Sequence, residues 1–474
     1  MSERPCPVIH PAGEAARSGH PQAPDAQQAV QAWPAACIAW GTVAVLAIVQ
    51  GVNAVDRHLI NLLVGPIKAD LGIGDGQIGL LLGLSFAIFY TTVGVPIGRL
   101  ADSCSRRLII AIGTAFWSVA TVCCGLAQSF AQLFAARVAV GAGEASLNPS
   151  GYSLIADLFP PERRARPMGV FIAGHTIGQA LTLFAGGMLV QYLASHDVTL
   201  RLPGGMLVRP WQIAFLVAGL PGLLVALLAL TIREPARREL GREPQRSHIP
   251  VREIGRYLAR HAALFVPLVA GFSFVLLWHM GNVVWAPTFL MRTFGLTPAD
   301  VGLVLGVMTL VFNSSGVVLA GVLSEHLARR GHRDAHVRAA FLGVLGALPF
   351  GIAATLVSSQ WLALALLGPA FFFGSLPFTL APAAISAVTP NRMRAQVTAL
   401  YLLCINAFGF GVGPWLMGQL TDSVFGDPQL LRYSISLTAG CALPLALLLL
   451  WRALGPYRIL VTGGGAASHE SAER

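Results

Sequence analysis

The sequence predicts an all-α integral membrane protein: twelve transmembrane helices in two pseudo-symmetric six-helix bundles. Three observations carry this. Of 474 residues, 55% are hydrophobic and only 11% charged, whereas a soluble chain carries about a quarter charged residues. The apolar residues fall in separate runs of about 20, the length that crosses a bilayer as a helix. These runs are continuous and do not alternate with period two, which excludes a β-barrel. Finally, two loop motifs recur at equivalent places in the two halves.

Taken in order, residues 1–34 are rich in Pro, Ala, Gln and Gly without periodicity and read as a disordered cytoplasmic tail. No apolar core follows a short basic start, so no signal peptide is expected. The first span is expected at about 40–64 and contains Asp56-Arg57. A short polar loop, KADLGIGDGQ, leads to the second at about 78–100, followed by spans at about 107–127, 131–155 and 168–192. Residues 193–210 are polar around Pro203-Gly204-Gly205 and predict a small hairpin outside the membrane. The sixth span, at about 211–232, closes an N-terminal bundle over 35–232. A basic cytoplasmic linker, 233–261, carries eight Arg and no apolar run. Six more spans follow at about 262–291, 300–323, 337–358, 361–388, 396–420 and 431–453, forming a C-terminal bundle over 262–455. The Gly/Ala/Ser-rich 456–474 is a cytoplasmic tail.

Charge sets the orientation. With both termini inside, the inner segments hold 25 Lys and Arg and the outer loops 5, while Arg57 and Arg137 lie within spans. Such a bias places both termini in the cytoplasm, here of a bacterial inner membrane. It also accounts for the formal charge of +10 without nucleic acid. The seven Cys are scattered, odd in number and without metal spacing, so they read as small buried hydrophobes. No metal or cofactor is expected.

The halves repeat. After the second span the chain reads Gly98-x-x-x-Asp102-x-x-x-Arg106-Arg107, and after the eighth Gly321-x-x-x-Glu325-x-x-x-Arg329-Arg330. The turns after the fourth and tenth spans echo each other too, Pro161-Glu162-Arg163-Arg164 against Pro390-Asn391-Arg392-Met393-Arg394. Internal repeats with sites at the repeat interface mark secondary transporters.

Ionisable groups at bilayer depth are costly and mark pathways for substrate or protons. Arg137 and Glu144 are two helical turns apart, on one side and roughly 10 Å apart along the axis. Asp56 and Arg57 are adjacent and point about 100° apart. Asp56 and Arg137 share a depth, so an ion pair is expected between them, either as a structural bridge or as part of a coupling network. Glu144 is flanked by Gly141, Gly143 and Ala145, small residues that allow close helix approach. A carboxylate desolvated there suits a proton carrier, making Glu144 the first candidate for proton coupling and Asp56 the second. His175 and Gln179 share a face at i, i+4, Asn282 and Trp285 at i, i+3, and Asn313 and Asn406 complete the polar set. Each is a substrate contact or an interhelical hydrogen bond.

The motif at Gly98–Arg107 and its second copy resemble the loop signature of the major facilitator superfamily, over about 36–455. DRHLINLLVGPIKADLGIGDGQIGLLLGLSFAIFY and RVAVGAGEASLNPSGYSLIADLFPPERRAR resemble its Spinster-like branch, whose eukaryotic members export sphingosine phosphate or lysophospholipids. Two positions depart from the pattern: Ser103 replaces a basic residue after the loop Asp, and Ala54 an aromatic before Asp-Arg. The resemblance implies that Asp56, Arg57, Arg137 and Glu144 form the coupling network. It also implies that Gly98, Asp102, Arg106, Arg107, Glu325, Arg329 and Arg330 form a breakable cytoplasmic gate.

Catalytic signatures of the H-E-x-x-H, G-x-S-x-G and G-x-x-x-x-G-K-[ST] types are absent, and Arg137 and Glu144 lie too deep for surface acyl chemistry. The sequence therefore predicts no enzyme. It predicts a monomeric, proton-coupled transporter that carries an amphiphilic or organic anionic small molecule by alternating access in the lipid bilayer. The alternatives are a small-anion or drug transporter, an uncoupled facilitator and, more distantly, a membrane ligand sensor.

Overall fold

The computed structural model describes residues 33–201, 205–237, 250–390 and 392–470. The expected tail at 1–34 therefore lies almost wholly outside the described residues, as do 202–204 of the hairpin, 238–249 of the linker, Asn391 and 471–474.

Eleven described helices are long and apolar enough to cross a membrane. They are span 1 (Ala36–Leu62), span 2 (Asp75–Ser103), span 3 (Arg106–Gly125), span 5 (Ala165–Ser195), span 6 (Pro210–Ala229) and span 7 (Ala262–Phe294). Span 8 (Pro298–Arg329), span 9 (Ala335–Leu356), span 10 (Gln360–Val388), span 11 (Gln396–Phe425) and span 12 (Pro428–Val461) complete the set. The continuous fourth helix expected from the sequence is instead two pieces, Phe130–Glu144 and Leu147–Leu158. Pro149 explains the break, because it offers no N–H to the Ala145 carbonyl and its ring crowds that oxygen. Both pieces pack on spans 2 and 3, so span 4 is interrupted but not lost.

Smaller elements lie between spans, among them a 3-10 turn at Pro161–Arg163. A short helix, Val64–Leu71, follows span 1. The hairpin is a two-stranded antiparallel ribbon pairing Leu200 with Val208 and Arg201 with Leu207. Within the expected linker, Val251–Arg260 is an amphipathic helix. Arg252, Arg256 and Arg260 line its exposed face, and the Tyr257 hydroxyl donates to the Val388 carbonyl at 2.6 Å.

Packing repeats between the halves. Span pairs 1–5, 1–6, 2–4, 3–4 and 3–6 are matched by 7–11, 7–12, 8–10, 9–10 and 9–12. Two further pairs, 2–11 and 5–8, join the bundles and are themselves related by the repeat. Glycines allow these approaches: a Cβ on Gly302 would strike the Leu183 carbonyl, and one on Gly418 would strike that of Asp75. Both contacts lie in the halves nearest the expected outer surface. The other halves of spans 5 and 8 have no comparable contact, so the bundles meet at the ends expected outside and part towards the ends expected inside. π-helical turns occur in spans 2, 8 and 11, at Leu80–Leu84, Thr309–Asn313, Ala407–Val412 and Thr421–Phe425. All of these spans face the opposite bundle.

Charged pairs tie down the inner ends of each bundle. Arg106 is fully buried, pairs with Asp157 and with Glu234 at 2.9 Å, and donates to the Pro235 carbonyl. This joins span 3, span 4 and the end of span 6. In the second half Asp334, before span 9, pairs with Arg338 at 3.3 Å and with Arg458 of the span 12 helix at 2.7 Å. Burial alone would raise the Glu234 carboxyl, but the Arg106 guanidinium, the amides of Arg106 and Arg107 and the Ser105 hydroxyl hold it below the ordinary range. Asp334 is likewise held low by its two arginines against the effect of burial.

A carboxyl lowered on folding stabilises above its unfolded pKa and loses that contribution as pH falls through the folded value. Glu234→Gln should therefore lower the thermal midpoint at pH 7.5. The difference from wild type should persist down to the ordinary value of 4.5 and shrink only below it, as measured by unfolding in detergent across a pH series.

Candidate functional site

The four intramembrane charges expected to act together do meet, but not in the expected pairing. Glu144 ends the first piece of span 4, where Gly141 and Gly143 let it press against Phe86 of span 2 and Trp117 of span 3. Its carboxylate accepts from Arg57 at 2.7 Å, with Glu144 fully enclosed and the Arg57 side chain 16% exposed. The Arg57 guanidinium lies 4.2 Å from the Phe86 ring centroid, 5.3 Å from Tyr90 and 6.0 Å from Phe410. Phe410 belongs to span 11, so this cation reaches the opposite bundle. Cation–π contacts in desolvated surroundings are worth about 2 kcal/mol, and these rings help to hold the guanidinium in place.

Arg137 is buried and donates to the backbone carbonyl of Asp56 at 3.0 Å. The ion pair expected between Arg137 and the Asp56 side chain is thus replaced by a backbone contact, which orients span 1 without neutralising either charge. Both Asp56 carboxylate oxygens are buried without a hydrogen bond, facing Trp117 and Thr121 of span 3. The second Glu144 oxygen is also unbonded. Beside these groups runs a chain absent from the sequence reading: Gln50 donates to Asn148, and Asn148 donates to the Tyr90 hydroxyl, each at 2.8 Å. It joins spans 1, 4 and 2.

The remaining polar candidates separate into groups. The His175 ring packs edge-on against His58 at 5.7 Å, and Gln179 is buried one turn further along. The Asn282 side-chain nitrogen is buried without a partner. Trp285 is fully buried, its indole N–H donating to the Pro414 carbonyl at 2.8 Å, which makes it a pin between spans 7 and 11. Asn313, the last residue of a π turn, and Asn406, just before another, are half-buried. Of the expected gate residues, Arg106 is engaged within its own bundle and Asp102 is exposed. Glu325 and Arg329 pair at 3.7 Å on the surface, and Gly98 borders open space.

At the opposite end the bundles are latched by residues that the sequence reading passed over. Asp75, fully buried at the start of span 2, accepts two bonds from Arg292 of span 7, at 2.7 and 2.8 Å, and one from Lys68 at 2.8 Å. Asp422 of span 11 accepts from the Gly76 amide at 2.7 Å. The available signal was an Arg in an outer loop, against the prevailing charge bias.

The sequence profile of the Major Facilitator Superfamily matches residues 46–414. The chain belongs to that family. As a major facilitator it is a multi-pass membrane transporter and no enzyme, and within the family it falls in the Spinster-like branch. It is 29% identical to an MFS-type efflux pump of Mycolicibacterium smegmatis, over 89% of this chain and 94% of that one. It is 28% identical to the protein spinster of Drosophila melanogaster, over 81% of this chain and 62% of the fly protein. A crystal structure of a bacterial homolog to the human lysosomal transporter Spinster, inward-facing and unoccupied, superposes with a TM-score of 0.73. The two are 26% identical over 90% of this chain and 98% of that one.

Removing one partner of a buried ion pair costs about 3–5 kcal/mol. Asp75→Asn should thus weaken the outer closure of this major facilitator and raise the outward-open population about tenfold or more. Spin-label distances between the outer ends of spans 2 and 11 should lengthen accordingly.

Proposed function

We propose that this transporter couples protons to the movement of an anionic, amphiphilic organic molecule by alternating access. It would work as a monomer in a bacterial inner membrane with both termini cytoplasmic. The observation carrying this reading is the Arg57–Glu144 pair, 2.7 Å long, with Glu144 enclosed and the guanidinium 6.0 Å from the Phe410 ring of the other bundle.

Arg57 can serve one anion at a time. While Glu144 is ionised it occupies the guanidinium, and when Glu144 takes a proton the guanidinium is free for an anionic group of the substrate. Proton and substrate binding are thereby linked, and the linkage is reciprocal. Asp56, buried and facing Trp117 and Thr121, is the second group able to carry the proton, and Arg137 fixes the backbone beside it. The aromatic rings around Arg57 give an apolar body somewhere to lie, favouring an amphiphile such as a lysolipid over a small hydrophilic anion. Rocking would then break the outer contacts, led by Asp75–Arg292, and bring together the inner ends that carry Asp102, Arg107, Glu325 and Arg330.

In proteoliposomes, Glu144→Gln should keep downhill exchange of substrate and lose accumulation driven by a pH gradient. Gradient-driven accumulation surviving in the variant would remove Glu144 from the mechanism. Its absence in the wild type would identify an uncoupled facilitator. Substrate affinity should also rise as pH falls in the wild type and become independent of pH in Glu144→Gln.

A further inference from the structure

Four polar side chains converge on one void between the bundles, and none has a side-chain hydrogen bond among the described residues. They are His58 and Asn61 of span 1, Gln179 of span 5 and Thr309 of span 8. Asn61, Gln179 and Thr309 are 3%, 8% and 4% exposed, and the His58 Nε2 atom is buried without a partner. The rest of the wall, including Leu183, Val283, Leu305 and Phe371, is apolar.

Buried polar groups are nearly always bonded, and leaving them unbonded is costly. Four of them facing one space therefore define the chemistry of whatever group they bond. Histidine, the two carboxamides and the hydroxyl offer both donors and acceptors, and no charged side chain lines the void. This set matches a neutral group that donates and accepts at once. The space is about the size of a water molecule, which limits the occupant to a single hydroxyl-sized group. Its position adds a constraint. His58 follows Arg57 directly in span 1, while Thr309 opens the π turn of span 8, so an occupant bonded to both would bridge the bundles beside the charge network.

We propose that this void receives a hydroxyl group of the substrate, displaced along the molecule from the anionic group held at Arg57. The proposal rests on the reading that Arg57 receives an anion. It narrows the substrate class to anions bearing a free hydroxyl, whether a polyhydroxylated carboxylate or the glycerol hydroxyl of a lysophospholipid. A site built to bond a hydroxyl discriminates strongly against the analogue lacking it, because its own groups are then left unpaired.

The test is equilibrium binding to the purified full chain with two pairs of probes. One pair is D-gluconate and hexanoate; the other is 1-oleoyl-lysophosphatidate and its 2-deoxy analogue. In at least one pair the hydroxylated member should bind the wild type about tenfold or more tightly than its partner. That preference should fall to about threefold or less in Gln179→Leu and in the near-isosteric Thr309→Val, and the pair showing it identifies the source of the hydroxyl. If the deoxy probes bind as tightly as the hydroxylated ones, the proposal is overturned and the anion reading stands. The same holds if the preference is undiminished in both variants while they remain monodisperse. If no anionic probe binds, the anion reading fails and this proposal falls with it.

Discussion

A guanidinium and a carboxylate enclosed together in a low-dielectric interior are the constraint around which the first bundle is arranged. Removing either Arg57 or Glu144 would leave the other charge without its partner, at a cost of about 3–5 kcal/mol. Their neighbours follow from that need. Gly141 and Gly143 seat span 4 against Phe86 of span 2 and Trp117 of span 3, and from there Glu144 meets Arg57 of span 1. Phe86 and Tyr90 present ring faces to the cation, and Phe410 extends the contact into span 11. The break after Glu144 makes that residue the end of a helix, where its side chain is free of the i+4 turn that would otherwise follow. In the proposed mechanism a substrate anion or a proton would act on this interaction.

Much of this architecture was legible from residue type and period alone. Apolar runs locate spans because a bilayer admits little else, and the repeated acid and Arg-Arg loops show the twofold plan. The depth of Asp56, Arg57, Arg137 and Glu144 could be read because helical rise is fixed. Partner choice could not, since Arg137 and Arg57 both lie within reach of two acids, and backbone geometry, which the sequence does not display, gave Arg137 the Asp56 carbonyl. Span 4 looked continuous because hydropathy is blind to Pro149. The hydroxyl-sized void and the Asp75–Arg292 latch join residues more than a hundred positions apart, and no local pattern announces such meetings.

The two halves also show how a repeat diverges while its mechanics persist. Each bundle fastens the start of its third helix to the chain leaving its sixth. In the first half the buried member is a base, Arg106, held by acids. In the second it is an acid, Asp334, held by bases. The polarity is reversed and the joint is kept.

The π turns carry a consequence for how this chain is compared with others. A π turn accommodates one residue more than the α ladder, equivalent to a rotation of about 100° in the side-chain register beyond it. In spans 2, 8 and 11 the faces above and below such a turn are therefore indexed separately. A helical wheel drawn straight through Thr309–Asn313 or Ala407–Val412 assigns lipid-facing and bundle-facing positions wrongly on one side of it. Homologues lacking the extra residue would align without a visible gap in hydropathy, yet present a different row of side chains to the opposite bundle.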